Sequence, residues 1–425
     1  MGAYLSQPIT EKEVFYGAGS DVGYAGASMQ GWRRHMEDAH VAATDLGDGA
    51  TTVSVFGVFD GHGGSEVSRF CQKYFAAQLS GIPSFPADVG ASLSAAFHKM
   101  DDMLRDCSYH RELAGMRNGA RPVVSAAMVA GMGDAAEGEE KKGGEGGGDP
   151  PAGGRDGGAP VARAGSRPRG GGRGAATTNP APSEAVLWQL NVVRRLISGA
   201  QRGRGRGRGS ANGNARMAAA YRVSRGEDGC GHGCEGTSHA GATAVVAVKR
   251  GAELFVANAG DSRGVLARGG AAVAMSKDHK PGLKDEKARI FKAGGFVSEI
   301  ANQDRVNGNL NVSRAIGDLK YKSNKKLAPR EQIITAEPEV RHFDLTGDDR
   351  FFVLACDGVW DVMTNQEVVD WVGRRLDQGA ALREICVEIL DNCLAGDPKM
   401  TKGIGCDNMT ILIVELRQPA ENGEA

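Results

Sequence analysis

The chain has 425 residues, with 51 Lys and Arg against 52 Asp and Glu and a formal net charge of −1. Glycine accounts for 63 residues, about twice the usual share, but no Gly-x-y period is present, which excludes a collagen-like protein. No apolar stretch approaches the ~20 residues of a membrane-spanning helix. The N-terminus, MGAYLSQPITEKEV, lacks the apolar region of a secretory signal, and most of the 8 cysteines stand in apolar runs. We therefore expect an intracellular protein with reduced thiols.

Glycine and positive charge are concentrated in one long segment. Residues 117–238 contain 29 of the glycines, and 18 Lys and Arg against 11 Asp and Glu. This segment therefore carries a net charge of +7, and the rest of the chain carries −8. Runs such as RPRGGGRG and RGRGRGRG hold too few large apolar residues to offset the entropy of ordering. We predict a disordered Gly/Arg-rich insertion that interrupts a folded domain.

The segments on either side of the insertion alternate between predicted strands and helices. Continuous apolar runs indicate buried strands, and apolar residues three or four apart indicate amphipathic helices. Thr364 and Glu367 form the pattern of a capping box that opens a helix. The order of elements favours an α+β fold with antiparallel sheets flanked by helices. In chain order, the predicted elements are a strand at 51–59, helices marked by Val67, Phe70 and Tyr74 and by Leu93, Phe97, Met100 and Leu104, strands at 243–248, 253–258, 264–268 and 351–356, helices through Trp371 and Leu376 and through Leu382, Ile385 and Ile389, and a strand at 410–416.

Several aspartates stand where a predicted buried strand begins or ends. They are Asp60 in DGHGG, Asp261 in DSR, Asp357 in DGVWD and Asp407 before NMTILIV, and Glu37 and Asp38 adjoin in RRHMED. A single aspartate at such a place most often forms a turn or a helix cap. Clustered carboxylates repel one another and lose solvation, and a hard divalent cation relieves both effects. For the whole set we therefore favour a site for Mg²⁺ or Mn²⁺, which prefer oxygen ligands.

Eight motifs in order resemble the metal-dependent type 2C serine/threonine protein phosphatases, the PPM family. They are RHMED, VFDGHGG, AGATAVVAV, ANAGDSRG, DHKP, RVNGNLNVSRAIGD, LACDGVWDV and CDNMT. The resemblance covers about residues 22–116 and 239–417, which we predict to be two parts of one phosphatase domain. The opening MGAYLSQP and the long insertion most resemble the gamma isoform, although the insertion of that isoform is acidic and this one is basic.

The resemblance implies the type 2C phosphatase fold, with two antiparallel β-sheets packed as a sandwich and flanked by helices, and with two Mg²⁺ or Mn²⁺ ions in the cleft between the sheets. It implies that Asp60 bridges both metals. The backbone carbonyl of Gly61, together with Glu37, would serve one metal, and Asp357 with Asp407 would serve the other.

The resemblance also implies a third, looser metal site and a hydrolytic mechanism. Asp261, Asp357 and Asp361 match the third site, and Asp38 would hydrogen-bond to metal waters. Arg33 corresponds to the arginine that binds the phosphate of the substrate, and His62 to the proposed general acid. The implied activity is hydrolysis of phosphoserine and phosphothreonine in phosphoprotein substrates by a metal-activated water. The alternatives are a catalytically inactive scaffold and an RNA-associated protein that acts through its Arg/Gly insertion.

The N-terminus carries a second, separate signal. Met1 to Ser6 fit the pattern M-G-x-x-x-S, which predicts myristoylation of Gly2 and peripheral contact with a membrane. A single myristoyl chain binds a membrane only marginally, and the Arg-rich insertion is one candidate for an additional electrostatic signal. The insertion also fits an RNA-binding segment, a nuclear import signal, or a flexible spacer. We thus predict a cytoplasmic or membrane-associated protein, with the nucleus as the alternative, and we place a separate N-terminal segment at 1–21 and a tail at 418–425.

Overall fold

The strands of the folded domain pair into two large antiparallel sheets and one small hairpin. The computed structural model describes residues 4–46, 53–117 and 239–417. In chain order, the strands are β1 (Ile9–Ala18), β2 (Val22–Gly31), β3 (Ala39–Leu46), β4 (Val53–His62), β5 (Gly241–Arg250), β6 (Glu253–Ala259), β7 (Arg263–Arg268), β8 (Ala271–Ala274), β9 (Val297–Ile300), β10 (Gln303–Val306), β11 (Ile316–Gly317), β12 (Glu339–Asp344), β13 (Asp349–Ala355) and β14 (Met409–Leu416).

The helices occur in two groups and as isolated turns. In chain order, the α-helices are α1 (Glu66–Ser80), α2 (Val89–Arg105), α3 (His110–Arg117), α4 (Lys284–Lys292), the single turn α5 (Asp357–Trp360), α6 (Asn365–Asp377) and α7 (Leu382–Cys393). The predicted capping box is present at the start of α6, because Thr364 accepts from the backbone N–H of Glu367 and the Glu367 side chain accepts from that of Thr364. The predicted helices around Phe70, Phe97 and Ile385 are confirmed as α1, α2 and α7.

The first sheet has the order β1-β2-β14-β13-β7-β8, and the second has the order β12-β6-β5-β4-β3, with β11 beside β5. Side chains alternate between the two faces of each strand. Phe352 and Leu354 of β13 pack against Phe56 and Val58 of β4 in one buried cluster between the sheets. This arrangement is a sandwich of two sheets, as predicted.

The outer face of each sheet is covered by helices. Phe59 of β4 packs with Phe75 of α1 and Phe97 of α2, whereas Val353 of β13 packs with residues of α6 and α7. The central strands are therefore apolar on both faces, which explains why their sequences form continuous hydrophobic runs. The α+β sandwich flanked by helices is confirmed.

Several elements were not predicted, among them β1, β2, β3 and β12. Strand β1 was not predicted, because most of its residues are exposed or half-buried and its sequence, ITEKEVFYGA, shows no strong apolar alternation. Strand β4 also continues beyond the predicted end at Phe59, since Asp60, Gly61 and His62 still pair with Thr243, Ala242 and Gly241 of β5. The motif DGH therefore lies in regular backbone.

Candidate active site

The predicted acidic residues meet at one end of the sandwich because of the antiparallel register. Asp60 lies near the end of β4, and Asp38 lies before the start of the neighbouring β3, where Ala39 pairs with Phe59. In the other sheet, Asp357 follows β13 and Asp407 precedes β14, where Ala355 pairs with Ile411. Asp261 lies in the short connection between β6 and β7, which crosses from one sheet to the other.

Asp60 belongs to two tight groups of metal-ligating side chains. Carboxylate oxygens of Asp60, Asp261 and Asp357 all lie within 4.8 Å of one another. A second group combines Asp60 with Asp38 and the thiol of Cys356, within the same distance. One carboxylate is thus shared between two clusters, as a bridging ligand would be.

Electrostatics at this cluster disfavour bare carboxylates. Loss of solvation, followed by repulsion from Asp38 and Asp357, raises the pKa of Asp60 well above its ordinary value. The pKa of Asp357 is raised well above its ordinary value by loss of solvation and by Asp261 and Asp407. Burial raises the pKa of Asp38 to about 7, against the hydrogen bond from Thr410. Divalent cations reverse these shifts, because they favour the ionised form.

The donor set fits hard cations. Asp38 is buried, and one of its oxygens accepts from the Thr410 hydroxyl at 2.7 Å. The other oxygen, Oδ1, is buried without a hydrogen-bond partner, a state that costs free energy unless another group supplies a donor or a charge. Burial raises the pKa of the Cys356 thiol well above its ordinary value, and a soft sulfur ligand does not suit a hard cation such as Mg²⁺. The remaining ligands are oxygens, which suit Mg²⁺ or Mn²⁺.

The loop between β2 and β3 carries Glu37 and Arg33, and one asparagine holds it in place. The side chain of Asn408 accepts from the Glu37 backbone N–H at 2.9 Å and donates to the carbonyl oxygens of Gln30 and His35. The Glu37 carbonyl accepts from the Ser68 hydroxyl. A Cβ atom on Gly61 would lie 2.3 Å from that carbonyl, so this position requires glycine if the loop is to approach β4.

Arg33 and Asp407 form an ion pair at the rim of the cluster. The Arg33 side chain is 52% exposed, so the rest of the guanidinium remains accessible from solvent. Burial lowers the pKa of this guanidinium, but Asp407, Asp357 and Asp60 raise it more. Arg33 is therefore a cation that contacts a site carboxylate and is also open to solvent, and it is suited to bind an anionic group.

His62 follows Asp60 by two residues at the end of β4, and its side chain contacts Asp318. Its Nε2 is 2.6 Å from Asp318 Oδ2. Burial lowers the pKa of His62, but the charge and the hydrogen bond of Asp318 outweigh that effect, so the pKa is raised. A Cβ atom on Gly241 would lie 2.3 Å from Asp318 Oδ2 and 2.6 Å from His62 Nε2. Glycine at the start of β5 thus makes room for the pair.

Lys280 lies against the third predicted metal site. Its ammonium donates to Asp261. Burial lowers the pKa of Lys280, but Asp261 and Asp357 raise it more. Asp361 follows the single turn α5 and also interacts electrostatically with Lys280. In the described residues, neither Asp361, Asp407 nor Glu37 belongs to a group of three ligands within 4.8 Å.

Four residues of the site were missed by sequence reasoning. Lys280 and Asp318 lie in the motifs DHKP and RAIGD, and Asn408 and Thr410 lie in CDNMT, so all four stand in motifs that carry the resemblance. Their contacts join segments far apart in the chain, and no local pattern marks such contacts. Gly2 and residues 118–238 of the predicted insertion at 117–238 lie outside the described residues.

A family comparison decides the class of the protein. The model of the family described as Protein phosphatase 2C matches residues 22–132 and 211–399. The chain belongs to the protein phosphatase 2C family. It is therefore a metal-dependent protein serine/threonine phosphatase.

Curated relatives agree with this family, and a solved structure shares the fold. "Probable protein phosphatase 2C 60" of Arabidopsis thaliana is 37% identical over 99% of this chain and 93% of its own length. "Protein phosphatase 2C 1" of Paramecium tetraurelia is 33% identical over 98% of this chain and all of its own length. A phosphatase structure from Toxoplasma gondii shares the fold, with a TM-score of 0.55 at 20% identity over 97% of this chain and 98% of that one. In the part of the chain that the structure describes, no helix is long and apolar enough to cross a bilayer.

Proposed function

We propose that the enzyme hydrolyses phosphoserine and phosphothreonine in proteins at a centre for two divalent cations, Mg²⁺ or Mn²⁺. The observation that carries the proposal is the position of Asp60, which belongs to both tight groups of ligands. A carboxylate at the centre of such an acidic cluster is suited to contact more than one cation. When bound, the pair of cations supplies a water of lowered pKa as nucleophile and neutralises charge on the phosphoryl group.

The proposed ligands are those that the resemblance to the type 2C phosphatases implies. Asp60 would contact both cations, with Asp357 and Asp407 on one side and Glu37 and the Gly61 carbonyl on the other. Asp38, with its unpaired buried oxygen, would accept hydrogen bonds from the coordinated waters.

A third cation at Asp261, Asp357 and Asp361 belongs to the same proposal. Because the Lys280 ammonium already neutralises Asp261, a cation there would compete with this lysine. We therefore propose that the third position binds its metal more weakly than the other two.

Arg33 would bind and orient the phosphate. A guanidinium can donate two parallel hydrogen bonds to a phosphate, and exposure of half of the Arg33 side chain leaves room for that contact. The ion pair with Asp407 holds the guanidinium next to the proposed metal ligands. The phosphate would thus be bound between Arg33 and the cations.

His62 would hold the proton that the departing serine or threonine oxygen needs. An alkoxide is a poor leaving group, so a proton donor within reach accelerates the step. Asp318 favours the protonated imidazole, and it also fixes the ring, because its carboxylate is fully buried. His62 is then the general acid, and Asp318 positions it.

Metal binding provides a test that is independent of turnover. Calorimetric titration of the metal-free chain with Mn²⁺ should give two strong sites and at most one weaker site. The Asp60→Asn variant should lose the strong sites, whereas Asp370→Asn, on the exposed face of α6, should retain them. Two strong sites that survive in Asp60→Asn would contradict the proposal.

Targeting remains a separate proposal that rests on the sequence alone. We propose myristoylation of Gly2, which would add peripheral membrane contact. We also propose a recruiting role for the insertion, which would contact either anionic lipid or RNA. These two features would determine whether the protein is found in the cytoplasm, at a membrane or in the nucleus. The likeness to the gamma isoform is likewise a proposal. Removal of residues 118–238 should leave phosphatase activity intact and change where the protein accumulates in a cell. Unchanged distribution would favour a spacer.

A further inference from the structure

A short apolar rim borders the side of the site where Arg33 lies. It consists of Tyr4, Met400 and Ile404, whose side chains are 36%, 80% and 54% exposed. Among the described residues, only four other large apolar side chains are exposed, namely Ile9, Phe291, Phe296 and Ile300. Scattered apolar residues on a surface need no explanation, but several beside a functional site do.

The N-terminal segment is fixed against the loop that carries Arg33. The backbone N–H of Leu5 donates to the carbonyl of Trp32 at 3.0 Å. The Trp32 indole in turn donates to the carbonyl of Ala395 at 2.8 Å. Leu5 and Trp32 are thus a hydrogen-bonded pair. Tyr4 precedes Leu5 and Arg33 follows Trp32, so Tyr4 lies near the proposed phosphate-binding arginine.

The loop that carries Met400 and Ile404 leads directly into Asp407. It is ordered by its own backbone hydrogen bonds, from Met400 to Asp397 and from Ile404 to Thr401, both at 3.2 Å. The Tyr4 hydroxyl packs over Gly403, where a Cβ atom would lie only 2.8 Å from it. Tyr4 thus contacts the loop between the two exposed side chains.

The electrostatic environment of Tyr4 includes charged groups of the site. Burial, Cys406 and Asp407 raise the pKa of the Tyr4 phenol, and the charge of Arg33 opposes them. All three rim residues also lie outside the ranges 22–132 and 211–399 that the family model matches.

We infer that the rim formed by Tyr4, Met400 and Ile404 selects phosphoprotein substrates that carry an apolar side chain within two or three residues of the phosphorylated one. A phosphate bound by Arg33 fixes the phosphorylated residue beside Asp407. An extended substrate advances about 3.3 Å per residue, so its neighbouring side chains must cross the surface next to Arg33. An apolar side chain that covers Met400 and Ile404 removes apolar surface of both partners from water. This inference rests on the proposed function.

The test compares full-length proteins on three substrates. Two phosphothreonine peptides would differ only in having leucine or serine at the three positions on either side of the phosphothreonine, and p-nitrophenyl phosphate would be the third substrate. The variant Met400→Ser/Ile404→Ser changes the rim, and Ile300→Ser is the matched control because Ile300 is 46% exposed on β9. All of these side chains are exposed, so unfolding temperatures should stay close to that of the wild type.

We expect the wild type and Ile300→Ser to prefer the leucine peptide by about tenfold in kcat/KM. The rim variant should lose this preference and hydrolyse p-nitrophenyl phosphate at the wild-type rate, because that substrate has no flanking residues. Absence of a preference in the wild type, or its persistence in the rim variant, would overturn the inference.

Two further outcomes also count against the rim as a specificity surface. If the rim variant keeps the preference but no longer binds vesicles that contain phosphatidylserine, the rim contacts lipid. If the wild type hydrolyses none of the three substrates with Mn²⁺, the proposed function fails, and the inference fails with it. If the rim variant loses the peptide preference but hydrolyses p-nitrophenyl phosphate normally, the result supports both the proposed function and the role of the rim.

Discussion

His62 Nε2 lies 2.6 Å from Asp318 Oδ2, and the Asp318 side chain is wholly buried. Asp318 adopts a left-handed backbone conformation with φ of +50°, which is uncommon outside glycine. Its amide donates to the carbonyl of Ala240 at 2.9 Å. The fold therefore holds the Asp318 carboxylate next to the His62 imidazole in an uncommon backbone conformation. We interpret this arrangement as one that positions His62 to donate a proton.

Replacing Asp318 with asparagine should weaken proton donation by His62. A neutral amide no longer favours the imidazolium, so the pKa of His62 should fall and less of it should carry a proton at alkaline pH. We expect kcat for a phosphothreonine peptide to fall by about 10- to 100-fold, a part of what a positioned acid supplies. The alkaline limb of the pH–rate profile should move to lower pH, and the measurement is kcat from pH 6 to 9.

Two comparisons make this prediction specific. Hydrolysis of p-nitrophenyl phosphate should fall much less, because nitrophenolate leaves without a proton. His98 and Glu337 form a similar pair, also 2.6 Å apart, so Glu337→Gln should leave the profile unchanged. Equal losses on both substrates would show that Asp318→Asn damages the site in another way.

Asp60→Asn should stabilise the metal-free protein. Burial, together with repulsion from the surrounding carboxylates, raises the pKa of Asp60 in the folded chain, so the unfolded chain releases this proton at lower pH than the folded chain does. Metal-free stability is therefore lost as pH rises from the unfolded pKa of about 4 toward the raised folded pKa. Thermal unfolding in EDTA at pH 7.5 should give a higher melting temperature for Asp60→Asn than for the wild type. A lower melting temperature for the variant would contradict the repulsion.

Arg33→Ala should weaken binding of the substrate phosphate. A hydrogen bond to a charged group contributes about 1.5–3 kcal/mol, so kcat/KM on the phosphothreonine peptide should fall by about 10- to 100-fold. Arg33→Lys should recover only part of this loss, because an ammonium cannot donate two parallel hydrogen bonds. Arg350 forms an exposed ion pair with Asp377 on another surface, and Arg350→Ala is the control. Steady-state kinetics within twofold of wild type for Arg33→Ala would exclude the assigned role.

Glu286 should stabilise the region between β8 and β12. Its carboxylate accepts from Arg314 at 2.6 Å, Arg289 at 2.7 Å and Ser313 at 2.6 Å. Burial raises the pKa of Glu286, but these hydrogen bonds and charges outweigh it and lower the pKa to about 2. A lowered pKa adds stability above the unfolded value of about 4.3, and that stability is lost as pH falls toward 2.

The corresponding variant is Glu286→Gln. It should lower the free energy of unfolding by about 3 kcal/mol at pH 7, and the difference from wild type should shrink between pH 4 and pH 2. Urea unfolding at several pH values measures both effects, and Glu299→Gln, at an exposed position on β9, serves as the control. A difference that does not depend on pH would indicate a packing defect instead of a lost ion pair.

The elements and the acidic cluster were predictable because their signals are local. Apolar runs such as FFVLA mark strands that are buried on both faces, and the pair Thr364 and Glu367 marks the start of a helix. An aspartate at each strand end predicts a cluster once the strands are antiparallel neighbours. The motifs then identified the family, since eight of them occur in the same order.

The supporting contacts were not predictable because they depend on the completed fold. Asp318 is 256 residues from His62 in the chain, and only the pairing of β11 with β5 brings the two together. Strand β1 was missed because its register against β2, and not an apolar pattern, defines it. The apolar rim likewise combines Tyr4, near the start of the chain, with Met400, near its end, and no sequence motif links these two positions.

The central claim is that phosphate release requires divalent cations held around Asp60. Its most direct test is hydrolysis of a phosphothreonine peptide by the purified chain with Mn²⁺, with EDTA, and with Mn²⁺ restored, beside Asp60→Asn and the control Asp370→Asn. The account predicts release with Mn²⁺, none with EDTA, recovery when Mn²⁺ returns, wild-type rates for Asp370→Asn and no release by Asp60→Asn. Release at the wild-type rate in EDTA, or by Asp60→Asn, would contradict it.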